Sequence, residues 1–406
     1  MTEKTKGIIA CRLCEAEKFK KVFVLPKMPL TDEFVNSEKI GSEFLSDIEI
    51  AICEHCGCVQ NMNNTDMDDY YNDYTYTVQS SAFAIGFMQK LASRIKEDFF
   101  ADVIKPKVIE IGSGSGEQLL EFKKLGFEVL GVEPSKKLVD YANGIGVTTL
   151  HAFYDDKILS KLPIEFREVD LIISSYTFDH IPEPTQALRA MSKNLKEGGI
   201  MAHEVHDLNL IKQRNEYCLF EHEHYTYLNE NTMKWVLSQN GFQTLTFNLL
   251  SQNEKRANSL LVVSCKTSLA DKVSIDVSKE VLELEKLSQN IQESIQRIDS
   301  WLSNNKEFKI AAYGAGGRGV MTIAALKNYQ LLKYIVDKNP KAKGIFAPKS
   351  HLPVYEIEKL NEERVDKILV FSFGYFNEIV DECCQRFNYK PEQFISLLDI
   401  IELQHA

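Results

Sequence analysis

Residues 108–134, VIEIGSGSGEQLLEFKKLGFEVLGVEP, restrict the possible folds of this chain more than any other stretch. An apolar run of Val108, Ile109 and Ile111 encloses Glu110 and meets the glycines Gly112, Gly114 and Gly116. Leu119, Leu120, Phe122 and Leu125 then recur at helical spacing, and a second apolar run from Val129 to Val132 ends in Glu133. Strand, glycine turn, helix and strand in that order open a doubly wound α/β sheet. Glycines at alternate positions let the backbone turn sharply and let a ligand come close to it. An acid at the tip of the second strand suits the two hydroxyls of a ribose. The stretch therefore predicts an adenosine-type cofactor held by Glu110, Gly112, Gly114, Gly116 and Glu133. It is not a P-loop, because no Gly-Lys-Ser/Thr follows. Nor is it the usual dinucleotide fingerprint, because the third glycine follows the second by two residues and not three.

The tight G-x-G-x-G followed by Glu133 resembles the S-adenosylmethionine site of class I methyltransferases. Further strand candidates extend the sheet to seven: residues 147–150, 170–174, 200–204, 244–249 and 260–265. Amphipathic segments such as 185–195 lie between them. Lys196 to Gly199 reads as a helix C-cap leading into the fifth strand. In such sheets ligands sit at the carboxyl ends of the strands. Residues 174–182 and 204–227 are expected there beside the glycine loop.

At 406 residues the chain is too long for one core. Three parts are expected: a metal-binding module over 1–70, the cofactor domain over 71–267, and a connecting helix with a Rossmann-like substrate-binding domain over 268–406. Cys11, Cys14, Cys53 and Cys56 form two C-x2-C pairs. Two thiolates per tight turn, and two such turns, make a tetrahedron that suits a structural Zn2+ with no open position. Cys58 and His55 are competing ligands, and the symmetrical four-cysteine set is preferred. The net charge of −11 argues against nucleic acid as a partner, since phosphate binding needs a basic face. No apolar run reaches the roughly 18 residues of a membrane span, and the N-terminus lacks the apolar core of a signal peptide. A cytoplasmic location without disulfides is expected.

Two segments carry candidate chemistry. His180 follows the fourth strand, and the run from Phe220 to Tyr227 sets His222 and His224 around Glu223. Three readings of these histidines stand side by side: a general base with an acid to orient it, a catalytic metal site using His222 and His224, or a solvated loop. Near the C-terminus, Gly314, Gly316 and Gly319 follow a strand in G-x-G-x-x-G order, and Asp337 ends the next strand. Read alone, this is a candidate NAD site, so a dehydrogenase or bifunctional enzyme is the rival reading. Arg318 in the loop, and Lys341 shortly after Asp337, favour an anion over a ribose hydroxyl.

In this order the cysteine pairs, the glycine loop, His180, the HEH run and the glycine-rich C-terminal region resemble the sugar C-methyltransferases. The resemblance covers nearly the whole chain. It implies transfer of a methyl group from S-adenosylmethionine to a carbon, chiefly carbon 3, of a nucleotide-linked 4-keto-6-deoxy sugar. It implies that His224 is the base, that His180 and Glu223 accompany it, and that Tyr76 lies near the sugar. It also implies a C-terminal domain that binds substrate and holds no second cofactor. One departure stands out: the family has tyrosine before HEH, and this chain has Glu221. A carboxylate there alters substrate contacts or the position methylated. A nucleotide-sugar-binding protein without catalysis is the non-enzyme alternative.

Overall fold

The computed structural model describes residues 5–67, 70–71, 82–256, 258–338, 340, 343–372 and 375–401. The chain divides into two compact units. One comprises Met1–Lys20, Ala51–Ile211 and Glu223–Val281; the other comprises Lys21–Ile50, Lys212–His222 and Leu282–Ala406. This partition differs from the three consecutive parts expected above. Two segments that are short in sequence, 21–50 and 212–222, belong in space with the C-terminal residues. The cysteine pairs stay with the cofactor domain.

The first unit is built on a seven-stranded sheet. Its strands are β1 (Lys107–Ile111), β2 (Glu128–Glu133), β3 (Thr149–His151), β4 (Val169–Ser175), β5 (Leu195–His206), β6 (Phe242–Thr246) and β7 (Ser259–Lys266). The order across the sheet is β6-β7-β5-β4-β1-β2-β3. Only β7 runs against its neighbours, β5 and β6. The central strands are buried almost throughout, which explains their continuous apolar runs. Chain order reverses between β1 and β4, and ligands bind at such a switch point. The KEGG segment is not a helix cap. The helix Pro184–Asn194 ends directly into β5, and Lys196 to Gly199 forms an irregularity in that strand. Val169 pairs with Leu195 but Leu171 with Ile200, so the extra residues loop out of register. Gly198 there has φ 73°, a left-handed conformation that glycine adopts without strain.

The cysteine module packs into the same unit through Arg12. Its guanidinium donates to Asn64 Oδ1 at 2.8 Å and to the carbonyls of Pro182, Asn61 and Asn63 at 2.9, 3.2 and 3.2 Å. Thr185 Oγ1 returns a bond to the Arg12 carbonyl at 2.6 Å. The loop after β4 is thereby tied to the first cysteine turn.

In the second unit, β8 (Ile310–Tyr313), β9 (Leu332–Asp337), β10 (Pro353–Glu356), β11 (Lys367–Val370) and β12 (Phe394–Ser396) form a parallel core in the order β12-β11-β8-β9-β10. Ile345–Phe346 and Val35–Asn36 extend it as antiparallel edges. This is a Rossmann-like half-fold, as expected. The helix Ser278–Asn304 is the connecting helix expected at the start of the third part, and it buries Leu284, Leu287, Ile291, Ile298 and Leu302.

Candidate functional site

Gly112, Gly114 and Gly116 all have positive φ, 66°, 53° and 88°. At Gly112 the requirement is doubled: a Cβ would lie 2.4 Å from Thr177 Oγ1, on the loop after β4. Glu133 clasps the turn. Its Oε2 accepts the Gly114 N–H at 2.9 Å and its Oε1 the Ser135 N–H at 2.8 Å. Glu110, the penultimate residue of β1, is 3% exposed, and its Oε2 has no hydrogen-bond partner among the described residues. Burial, and after it the neighbouring Glu117, hold the Glu110 carboxyl well above the usual carboxylate range. A bound cation would relieve that cost.

Glu110, Gly112, Gly114 and Glu133 line one cavity of about 1000 Å³. That is the upper end of the roughly 300–1,000 Å³ typical of ligand pockets, so it has room for a cofactor and part of a second reactant. The same cavity is lined by Tyr70, Tyr71, His180 and Glu223. An S-adenosyl cofactor, with its sulfonium and ammonium charges and its ribose, fits a cavity with Glu110, Glu117 and Glu133 in its wall. A nicotinamide dinucleotide would use one carboxylate for its ribose, and its pyrophosphate would be repelled by the others.

Behind His180, which lines the cavity, two further imidazoles pack on it. The rings of His180 and His224 are 4.5 Å apart, those of His206 and His224 4.6 Å, and those of His180 and His206 6.5 Å. Asp179 organises them. Its Oδ2 accepts from the His206 backbone N–H at 3.2 Å and from His206 Nδ1 at 2.7 Å. Its backbone carbonyl accepts the Tyr225 N–H at 2.9 Å, which draws the HEH run to the β4 loop. Burial by itself would raise the Asp179 carboxyl; His206, then His180 and His224, outweigh it and hold it below the usual carboxylate range. Since Asp179 is ionised, His206 Nδ1 carries the proton. Tyr71 Oη lies 3.2 Å from His180 Nδ1, and Tyr70 Oη donates to Glu223 Oε1 at 3.4 Å. Burial pushes His224 down to about 3 and His180 to about 4, so both rings are neutral near pH 7.

His222 is not part of this cluster. It belongs to the second unit, where its Nε2 donates to the Met28 carbonyl at 2.9 Å and its ring meets Phe44 edge-on. This overturns the reading of His222 and His224 as a shared metal pair. Residues two apart on an extended strand share a face; here the chain bends at His222 and Glu223, and the two side chains part. The solvated-loop reading fails too, since Glu221, His222, Glu223 and His224 are all buried. Glu221 lies in the second unit beside the C-terminal glycine turn: a Cβ on Gly317 would come 3.0 Å from its Oε1. Arg318 Nη2 donates to Glu216 Oε1 at 2.6 Å, and Asp337 Oδ2 accepts the Ala315 N–H at 2.8 Å. Asp337 thus clasps its glycine loop as Glu133 clasps the first. Tyr76 and Lys341 lie outside the described residues.

His206, Asp179, Tyr70 and Tyr71 were not singled out by sequence reasoning. The signal was present for His206, the last residue of β5 and therefore at the ligand edge of the sheet. Nothing local marks Asp179 as its partner.

The four expected cysteines converge, with their sulfurs within 4.8 Å of one another. Cys11 and Cys56 Sγ are 3.6 Å apart, and Cys14 and Cys53 Sγ 3.5 Å. Zinc–sulfur bonds of about 2.3 Å in a tetrahedron put sulfurs about 3.8 Å apart, so the donor set fits zinc. Cys58 Sγ turns to the Val59 carbonyl at 3.6 Å, and His55 packs on Trp235.

Three family models match in succession: a zinc binding domain over residues 11–71, a methyltransferase domain over 84–246, and a C-methyltransferase C-terminal domain over 272–398. C-methyltransferase NovU of Streptomyces niveus is 22% identical over 402 residues, covering 94% of this chain and 93% of that protein. An uncharacterized methyltransferase of Alkaliphilus oremlandii (strain OhILAs) is 28% identical over 150 residues, 33% of this chain and 68% of that protein. Magnesium protoporphyrin IX methyltransferase (ChlM) from Synechocystis PCC 6803, solved with bound SAM, matches 50% of this chain and 95% of its own at 14% identity, with a TM-score of 0.37.

Proposed function

We propose that this chain, which belongs to the S-adenosylmethionine-dependent, zinc-containing C-methyltransferases, methylates carbon 3 of a nucleotide-linked 4-keto-6-deoxy sugar, with His224 as base. S-adenosylmethionine and zinc are its cofactors. The bound S-adenosylmethionine supplies an electrophilic methyl group on a sulfonium sulfur. The closed thiolate site leaves zinc a structural role.

Carbon becomes nucleophilic when a neighbouring carbonyl acidifies its C–H, and a 4-keto group does so for carbon 3. The chain must then supply a base for that proton and donors for the enolate oxygen. The observation that carries the reading is the imidazole cluster, in which His224 packs on His180, a lining residue of the cofactor cavity. His224 is neutral, so its lone pair is free of a proton near pH 7. The Asp179 carboxylate, with Glu223 after it, acts against burial and stabilises the imidazolium formed on proton transfer. His180 and Tyr71 offer donors for the enolate oxygen. A positioned base contributes roughly 10²–10⁴ in rate, so those donors and the alignment of two bound reactants must carry the rest. Glu221, Arg318, Asp337 and Lys341 are the proposed substrate-binding residues of the C-terminal part.

The test combines labelled S-adenosylmethionine with a panel of nucleotide-linked 4-keto sugars, read by mass spectrometry. A gain of one methyl on a sugar carbon is expected. His224→Asn should retain both ligands yet lose methyl transfer. It should also lose exchange of the α-proton with heavy water, because exchange needs the base and not the methyl donor. Retained exchange in that variant would remove His224 from the role.

A further inference from the structure

The base reading uses His224 and leaves His206, and its tie to Asp179, without a purpose. His180, His206 and His224 each offer a ring nitrogen, and these lie within 4.8 Å of one another. Three imidazoles bound at about 2.0–2.1 Å to a tetrahedral ion place their nitrogens about 3.4 Å apart and their ring centres roughly 5 Å apart. The observed ring separations of 4.5, 4.6 and 6.5 Å bracket that value. His206 also has the outer contact typical of a ligating histidine. Its Nδ1–H is held by a carboxylate, which fixes the tautomer that leaves Nε2 with its lone pair.

A second observation points independently to a cation. Asp179 Oδ1 is buried without a hydrogen-bond partner and lies 4.0 Å from His180 Nε2. Glu223 Oε2, next to His224 in the chain, is likewise buried and unpartnered. Two buried carboxylate oxygens beside the three imidazoles thus find no donor among the described residues. Leaving a buried acceptor unmet is costly, and more so for a charged one. Access exists, because the His180 and His206 side chains are 21% and 17% exposed and His180 lines the cavity. The donor set is nitrogen with oxygen, so it selects a borderline divalent ion and differs from the all-sulfur site.

We propose that His180, His206 and His224 form a second metal site, taking one Zn2+, Co2+ or Ni2+, and that filling this site switches the enzyme off. The logic rests on His224 as the base: a nitrogen lone pair given to a metal cannot accept a proton from the sugar. The ion enters with its water and leaves to a chelator. A transition metal thereby competes directly with catalysis, while the thiolate zinc keeps its structural place.

Full-length protein with its thiolate zinc retained is titrated with Co2+ and read by visible ligand-field absorption. One equivalent should bind, with no thiolate charge-transfer band, so exchange into the cysteine site is recognised at once. His206→Gln should lose that equivalent. Asp179→Asn should weaken binding by about 10–100-fold, the usual effect of removing an outer-shell carboxylate. S-adenosylmethionine affinity reports whether either variant is folded. In parallel, methyl transfer and α-proton exchange should fall in step with Co2+ occupancy and return on adding a chelator. Absence of a bound equivalent beyond the zinc, or equal binding by folded His206→Gln, overturns the site. Binding that leaves turnover unchanged or raises it overturns the switch. The Co2+ titration needs neither sugar nor methyl donor, so a wrong substrate class or a wrong base cannot be mistaken for a missing metal site.

Discussion

Glu133 is assigned two tasks that a simple deletion would confuse, and an analogue separates them. Both carboxylate oxygens already accept backbone N–H groups, from Gly114 at 2.9 Å and Ser135 at 2.8 Å. The remaining lone pairs are those a ribose would use. Hydrogen bonds to a charged acceptor are worth about 1.5–3 kcal/mol each. Glu133→Ala therefore opens the clasp on the glycine loop at that cost per bond, and every ligand of the loop suffers. It also removes the ribose contact, a further 1.5–3 kcal/mol or about 10- to 150-fold in affinity. Only a ligand with ribose hydroxyls feels this second loss. Calorimetry of wild type and Glu133→Ala with S-adenosylhomocysteine and with its 2′,3′-dideoxy analogue completes a thermodynamic cycle. The variant should lose about 10- to 150-fold more affinity for the hydroxylated ligand than for the analogue. Equal losses for both would refute ribose recognition by Glu133 and leave it only as a clasp. Glu133→Gln serves as the folded control, since it keeps the volume and one acceptor.

Cys53→Ser should release zinc, measured by metal analysis, and lower thermal stability, whereas Cys58→Ser should keep a full equivalent. Because Arg12 ties the first cysteine turn to Pro182, zinc loss should also weaken substrate turnover. Gly112→Ala should destabilise by about 1–2 kcal/mol for left-handed backbone and about 1–3 kcal/mol for overpacking against Thr177. Adding Thr177→Gly should recover only the second part in urea unfolding, and full recovery would discount the backbone argument. Burial holds His180, His203, His222 and His224 at about 4, 3, 4 and 3, against 6.5 when unfolded. Folded pKa values below the unfolded ones mean that unfolding takes up protons. Their contribution is therefore complete above pH 6.5 and is lost as pH falls towards 4. Unfolding free energies from urea titrations at pH 7.5 and 5.5 should differ by about 1 kcal/mol per histidine, and equal values would contradict the burial argument.

Local features of the sequence determined the cofactor loop, the metal module and the seven strands. A left-handed turn needs glycine at the position itself, and a C-x2-C pair closes within one turn. A buried parallel strand announces itself by a continuous apolar run, so these elements carry their constraint in adjacent residues. The C-terminal half-fold was legible for the same reason, from Gly314, Gly319 and Asp337. The Lys196–Gly199 segment misled because a glycine pair after a helix serves equally as a cap or as a strand irregularity. Only pairing with Val169 and Leu171 decides between them. The candidate site depended on tertiary structure in a stronger sense. Asp179 lies in the turn after β4 and His206 ends β5, and they meet only because β4 and β5 lie side by side. Adjacent positions were also separated: His222 and His224 look like one motif, yet the chain crosses from one unit to the other between His222 and Glu223. Which neutral imidazole faces which carboxylate is a property of burial and of the loops' packing, and no spacing along the chain encodes it.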